Sequence, residues 1–232
     1  MDARLRDTAS EAQGRKYRPQ ETRAHILTAA KELFRTQGYT HTSSLEIAQR
    51  ADVAEGSVFY HFGSKANLLA ALGAEYAREK VAAMRGGETD LSKLEPGLII
   101  ARTFGYVRDH GMMLANTGLK AGSPELQPFL HANRIVIVDF VSQCMAASGP
   151  QTPSAEEDPE KIAIKASLSY AVVVDALQRV YESEEPEDEA KVMAVTIQFV
   201  RDACGYGHLT HIPPLPLDEG VTDNVTDKEP AA

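Results

Sequence analysis

The stretch TSSLEIAQRADVAEGSVFYHFGSK, Thr42 to Lys65, constrains this chain more than any other part of it. It reads as two short helices joined by a tight turn. Ser43 opens the first: its hydroxyl is set to accept from the backbone N–H of Glu46, and the Glu46 carboxylate to return to the N–H of Ser43, a capping box. Leu45, Ile47, Ala48 and Ala51 then form an apolar stripe at helical spacing. Ala48 is small where a second helix must cross closely. Asp52 falls at the turn, where a positive φ is expected and Asp is among the tolerated residues. Val53 is expected to plug the turn into the core.

The second helix is expected over Glu55–His61. Val58, Phe59 and Phe62 are its expected inward or half-buried face, leaving Glu55, Gly56, Ser57, Tyr60 and His61 outside. A glycine inside a helix costs stability, and close approach of the backbone to DNA would offset it at Gly56. Ser57 suits a phosphate or a base edge. Tyr60 and His61 offer phosphate donors and apolar contact with a thymine methyl. Gly63 ends the helix, Ser64 caps the next, and Lys65 lies in a first turn that already favours phosphate. Caps and stripes would suit any three-helix module. The ordered combination predicts a helix-turn-helix over about residues 43–62, shaped to enter a major groove.

The segment from about Gln20 to Leu69 resembles the DNA-binding domain of the tetracycline-repressor (TetR) family. The resemblance rests on Thr22-Arg23, Ile26, Ala29-Ala30, Leu33-Phe34, Gly38-Tyr39, Thr42-Ser43, Ile47-Ala48, Ala51, Val53, Gly56-Ser57, Tyr60-His61-Phe62, Ser64-Lys65 and Leu68-Leu69. Two positions depart from the family pattern. Asp52 stands where Gly is usual. Phe59 stands where a Tyr usually presents its hydroxyl to a backbone phosphate, a contact Phe59 cannot make. The resemblance implies Ser43, Ser44, Gly56, Ser57, Tyr60, His61 and Lys65 as DNA contacts. It also implies a dimer built on the last two helices and a ligand pocket among the C-terminal helices.

The chain of 232 residues has a net charge of −9, which looks wrong for a DNA binder until its distribution is read. Residues 1–70 carry ten Lys and Arg against eight Asp and Glu, while the remainder is net −11. Phosphate senses charge within a Debye length, about 8–10 Å, rather than the global sum. An acidic body also repels DNA from every face but the intended one.

Residues 1–19 are polar and charged without periodicity, and read as a flexible basic arm. The DNA-binding domain is expected over residues 20–70, with its first helix over Glu21–Gln37 and a buried stripe of Ile26, Ala29, Ala30, Leu33 and Phe34. A fourth helix, Lys65 to Met84, is long enough to leave that domain and to act as a lever; Leu68, Leu69, Leu72, Tyr76 and Val81 are its apolar positions, and Gly86-Gly87 breaks it. Helices are expected near 91–110, 111–120, 123–147, 158–182 and 186–204, with Pro124, Pro159 and Pro186 in first turns. No alternating run long enough for a sheet is present, so the fold class is all-α. It comprises the helix-turn-helix domain followed by a helical ligand-binding and dimerisation domain over 71–205. The Pro-, Asp- and Thr-rich tail, 206–232, reads as disordered.

The helices expected at about 158–182 and 186–204 are apolar over more than one stripe. Ile162, Ile164, Leu168, Val172, Val173, Val174, Leu177 and Val180 serve the first, and Val192, Met193, Val195, Ile197, Phe199 and Val200 the second. Such helices must bury two faces, which a four-helix bundle across a two-fold axis provides. A homodimer also matches the geometry of a palindromic operator, whose half-sites lie about 34–36 Å apart in successive major grooves of double-stranded DNA. Phe104, Met112, Met113, Phe129, Phe140, Tyr170 and Val174 are candidate lining residues for a small-molecule effector, with His131, Asn116 and Arg134 as polar partners. Their apolar, partly methionine character predicts an uncharged, largely apolar ligand.

No nucleophile elbow, Walker loop or dinucleotide fingerprint is present, so neither an enzyme nor a cofactor is expected. Cys144 and Cys204 lack metal-ligand spacing and read as small hydrophobes. His208 and His211, spaced H-x-x-H in the tail, are read as solvent-exposed, and no metal site is expected. No apolar run reaches the length of a membrane span and the N-terminus lacks a signal-peptide core, which predicts a cytoplasmic protein. Two functions from different classes follow: a dimeric, ligand-responsive transcriptional repressor, or a helical scaffold whose helix-turn-helix serves protein contacts.

Overall fold

A computed structural model describes residues 18–110, 119, 123–148 and 158–204. Among the described residues the regular structure is entirely helical: α1 Pro19–Gln37, α2 Ser44–Arg50, α3 Glu55–Phe62, α4 Lys65–Arg85, α5 Pro96–His110, α6 Gln127–Ser148, α7 Pro159–Tyr181 and α8 Glu189–Cys204. The arm up to residue 17, the helix expected near 111–120 (residue 119 apart) and the tail beyond 204 lie outside the described residues.

Several helix starts differ from those expected, and a proline or a capping carboxylate stands at each. The first helix begins at Pro19, whose ring presets φ and whose missing N–H costs nothing at a first turn. The helix expected from 91 begins at Pro96; Leu91–Lys93 form a separate 3-10 turn, with the Asp90 carboxylate accepting from Ser92 N–H at 3.1 Å. Pro124–Leu126 form another 3-10 turn before α6. The last helix starts at Glu189 rather than at Pro186, because Asp188 supplies the cap, its Oδ1 accepting from Lys191 N–H at 2.7 Å. Asp158 caps α7 as expected, with Pro159 in the first turn and Glu160 N–H donating to Oδ1 at 3.0 Å.

The chain divides into two compact units. One takes in the chain up to Glu79 together with His110–Ile137; the other takes in Lys80–Asp109 and the chain from Val138 onward. The division runs through α4 and α6 rather than between elements.

In the first unit α1, α2 and α3 pack on one another. Ile26, Ala30, Phe34, Ile47, Ala48, Val58, Phe62, Leu68, Leu69 and Leu72 are buried in its core. Phe34 and Tyr39 meet edge to face with centroids 5.2 Å apart. Gly73 on α4 faces the α6 backbone: a Cβ there would stand 2.4 Å from the Phe129 carbonyl oxygen. Asn133 Nδ2 donates to the Gly73 carbonyl at 3.3 Å across the same approach.

In the second unit α7 and α8 pack together, burying Ala166, Ala176, Leu177 and Val180 from one and Val192, Met193, Ile197 and Val200 from the other. Their second apolar face stays open, with Leu168 63% and Val195 63% exposed beside Ile164 and Phe199. Arg201 is fully buried and its Nη2 donates to Glu95 Oε2 at 2.5 Å. Tyr181 Oη donates to Glu189 Oε2 at 2.8 Å, and burial together with that carboxylate pushes the phenol well above its ordinary range. Arg102 closes the end of α4, its Nη1 donating to the carbonyls of Met84 at 2.9 Å and Arg85 at 2.7 Å. Among the described residues no helix is long and apolar enough to cross a membrane.

Candidate nucleic-acid interface

The helix-turn-helix begins where its cap demands. Ser43 N–H donates to Glu46 Oε2 at 2.7 Å and Glu46 N–H donates to Ser43 Oγ at 3.1 Å, so the reciprocal box is complete. The Ser43 backbone N–H, then its hydroxyl, hold the Glu46 carboxyl below its usual range. Ser43 and Ser44 therefore sit together at the start of α2, with Ser43 exposed and Ser44 half-buried.

Asp52 turns the chain with φ 55°, the one non-glycine positive φ among the described residues. Val53 N–H then donates to the Ala48 carbonyl at 3.0 Å, closing the turn against α2, although its side chain is only half-buried. Helix α3 buries one narrow edge, Val58 and Phe62, four residues apart. Phe59, expected inward, is 49% exposed, and Leu45, expected in the α2 stripe, is 48% exposed. The reason is angular: neighbouring residues on a helix lie about 100° apart, so an eight-residue helix that buries Val58 turns Phe59 away.

The outward side of α3 carries the rest. Tyr60 is 76% exposed, and Gly56 and Glu55 are exposed; Ser57 and His61 are half-buried. Gly56 with Tyr60, and Ser57 with His61, stand four apart and so form adjacent pairs on this helix. The Tyr60 and His61 rings meet edge to face at 5.1 Å. A Cβ on Gly56 would meet nothing within 4 Å, and its backbone is not in the left-handed region, so the fold itself makes no demand for glycine there. Gly63, at φ 73°, ends α3 with its N–H on the Phe59 carbonyl at 2.7 Å. Ser64 Oγ accepts from Asn67 N–H at 3.1 Å and starts α4.

Lys65 has internal partners that sequence reasoning missed: its Nζ donates to the carbonyls of Tyr39 at 3.0 Å and Thr42 at 2.9 Å. Arg23 was also missed as a neighbour of α3; its guanidinium lies 4.9 Å over the Phe62 ring. Nothing in local spacing announces either contact, since both join residues far apart in the chain.

Residues 26–72 match the sequence profile of the bacterial regulatory proteins of the tetR family. This N-terminal domain is of the TetR family. Its sequence is similar to the transcriptional regulator AcrR of Shigella flexneri, 47% identical over 53 residues, which is 23% of this chain and 25% of AcrR. The matched stretch thus spans about a quarter of that curated relative's length. The fold similarity extends further. A Syntrophomonas wolfei protein assigned as a TetR-family transcriptional regulator superposes with a TM-score of 0.57 at 16% identity, covering 84% of this chain and all (100%) of that one. The regulator FadR of Bacillus subtilis, solved with stearoyl-CoA, gives 0.51 at 17% identity over 76% of this chain and 96% of FadR. The TetR architecture, an N-terminal helix-turn-helix domain followed by a C-terminal helical domain, is therefore shared.

The expected ligand-lining residues divide. Phe104 and Phe140 are buried in the second unit, where Tyr170 and Val174 are half-buried; Phe129 is buried in the first. Met112, Met113 and Asn116 lie outside the described residues, as do His208 and His211. His131 and Arg134 are exposed. Burial pushes the Cys144 thiol up to about 11, and Cys204 Sγ lies 3.6 Å from Ser169 Oγ; both cysteines are free. Among the described residues no three His, Cys, Asp or Glu side chains gather as a metal site would require.

Proposed function

We propose that the chain is a cytoplasmic, sequence-specific DNA-binding transcriptional regulator, not an enzyme. It acts as a homodimeric repressor that a small apolar effector releases from a palindromic operator. The observation that carries this reading is the outward side of α3. A helix closed by Gly63, with an exposed Tyr60 and a Gly56 that the fold does not require, suits close approach to a duplex edge. Ser57 and His61 on α3, with Ser43 and Ser44 at the start of α2, complete the proposed contacts.

Dimerisation is supported by the open apolar face of α7 and α8, where Ile164, Leu168, Val195 and Phe199 stand exposed. A second copy packed there would bury them in a four-helix bundle and bring two α3 helices to one duplex. The effector reading is supported by the apolar character of Phe104, Phe140, Tyr170 and Val174 and, for its apolar acyl chain though not for its anionic CoA moiety, by the stearoyl-CoA solved with one fold relative. An effector that binds better to a dimer spaced wrongly for DNA shifts the population off the operator.

Selection of bound sequences from a random duplex pool tests the reading. Recovery of one palindrome, bound with an affinity that falls linearly in log–log form with salt, is the expected result. Purified protein that ignores every duplex at low ionic strength overturns it. Titration of uncharged primary alkanols of increasing chain length against the recovered operator then tests release.

A further inference from the structure

Lys65 opens α4, yet its ammonium turns away from that helix toward the turn between α1 and α2. It donates to the Tyr39 carbonyl at 3.0 Å and to the Thr42 carbonyl at 2.9 Å. It also lies 4.3 Å from the centroid of the Tyr39 ring. Two charge-assisted hydrogen bonds and a cation–π contact converge on one part-buried group. The turn it grips is tied internally as well. Thr42 is buried, its Oγ1 donates to the Gly38 carbonyl at 2.8 Å, and its N–H donates to the Tyr39 carbonyl at 3.3 Å. The next residue, Ser43, is the N-cap of α2. Lys65 therefore joins the first turn of α4 to the point at which α2 begins.

Helix α3 hangs between those two anchors. It connects to α2 through residues 51–54 and to α4 through Gly63 and Ser64 alone. If the start of α2 and the start of α4 are pinned to each other, little slack remains in the tilt of α3. We infer that Lys65 is a positioning residue for DNA recognition: it clamps the α1–α2 turn to α4 and so sets the angle at which α3 is presented, rather than spending its charge on a phosphate. This rests on the DNA-binding reading above and assigns Lys65 a different part in it from the one the family resemblance implies.

The two roles differ in what they do to salt dependence and to discrimination. A lost phosphate contact weakens binding to all sequences alike and lowers the log–log salt slope by about one per contact. A lost clamp leaves the slope in place and blurs base readout. The test compares Lys65→Met with the wild-type full-length protein on the selected duplex and on a scrambled duplex of equal length, over a salt series. Amide hydrogen exchange of residues 39–43 is followed in parallel. The expected result is a fall of about tenfold in the ratio of selected to scrambled affinity, an unchanged slope, and faster exchange in the turn. An unchanged ratio with a shallower slope overturns the inference. Should Lys65→Met not fold, Lys65→Gln keeps a donor and removes the charge. The clamp then requires an unchanged salt slope, and a slope shallower by about one per contact overturns it. If the wild type binds neither duplex, the DNA-binding reading fails by itself, and exchange in the turn still reports whether Lys65 holds it.

Discussion

Asp52 carries the turn of the helix-turn-helix at φ 55°, a region where a side chain with Cβ pays sterically and Asp pays least after Gly and Asn. Asp52→Val, β-branched at a positive φ, is expected to destabilise the protein by about 1–2 kcal/mol, read from the urea midpoint at constant m. Lys80 poses a different problem. It is buried on α4, and burial lowers its ammonium from the ordinary value of 10.5 to about 8. Between those two values the unfolded chain holds a proton that the folded chain releases, so stability gains from this group as pH rises from about 8 to about 10.5. Lys80→Met is expected to flatten that rise. Urea titrations at a series of pH values check it, and an unaltered profile would show that the ammonium bears no such burden. The two residues differ in how visible they were. Asp52 announces its role through position, next to a stripe that ends and before one that starts. Lys80 sits in an unremarkable stretch of charged helix, and only packing from other elements desolvates it.

At the scale of elements, α4 and α6 come together at a residue without a side chain. A Cβ at Gly73 would come within 2.4 Å of the Phe129 carbonyl oxygen, which is backbone and cannot rotate aside. Gly73→Ala is expected to cost roughly 2–4 kcal/mol through forced separation of the two helices, despite alanine's better helix propensity. Thermal melting of the variant checks it, and a neutral or stabilising result would mean the helices shift freely. The capping box and the Asp-Pro start were legible because a cap is local chemistry: the donor and acceptor lie within three residues. Ser43 with Glu46, Asp158 with Pro159 and Gly63 after α3 all stand where spacing put them. The start of α8 was misread at Pro186, since proline tolerates a first turn but does not create one; Asp188, three residues before the donor of Lys191, does. Phe59 and Leu45 were misread because an apolar side chain on a seven- or eight-residue helix says little about which edge is buried.

At the scale of the whole molecule, the exposed apolar face of α7 and α8 is a feature that, among the described residues, a single copy leaves uncovered. If a two-fold bundle covers it, Leu168→Glu together with Phe199→Glu is expected to give a monomer in sedimentation equilibrium while the helical content is kept. The same variant is expected to lose affinity for a two-half-site duplex by far more than for one half-site, because the second α3 is no longer tethered. A double variant that remains dimeric would move the interface elsewhere. The acidic balance of the chain belongs to this scale too. Of the basic residues near the helix-turn-helix, Lys31 pairs with Glu79 at 2.9 Å and Arg50 with Glu32. Counting charge by segment therefore overstates what is available to phosphate.

Much of this protein was written in its order of residues alone. Helical periodicity, capping pairs and turn chemistry act over three or four positions, so the all-α class, the helix-turn-helix and the exposure of Gly56 and Tyr60 could be read directly. Contacts across long stretches of chain could not, because they depend on where helices come to lie. Lys65 reaching Tyr39 and Thr42, Arg201 buried on Glu95, Lys80 stripped of water and Gly73 pressed to Phe129 were decided by tertiary packing. Periodicity names the side of a helix that avoids water; only the assembled fold says which other segment takes its place.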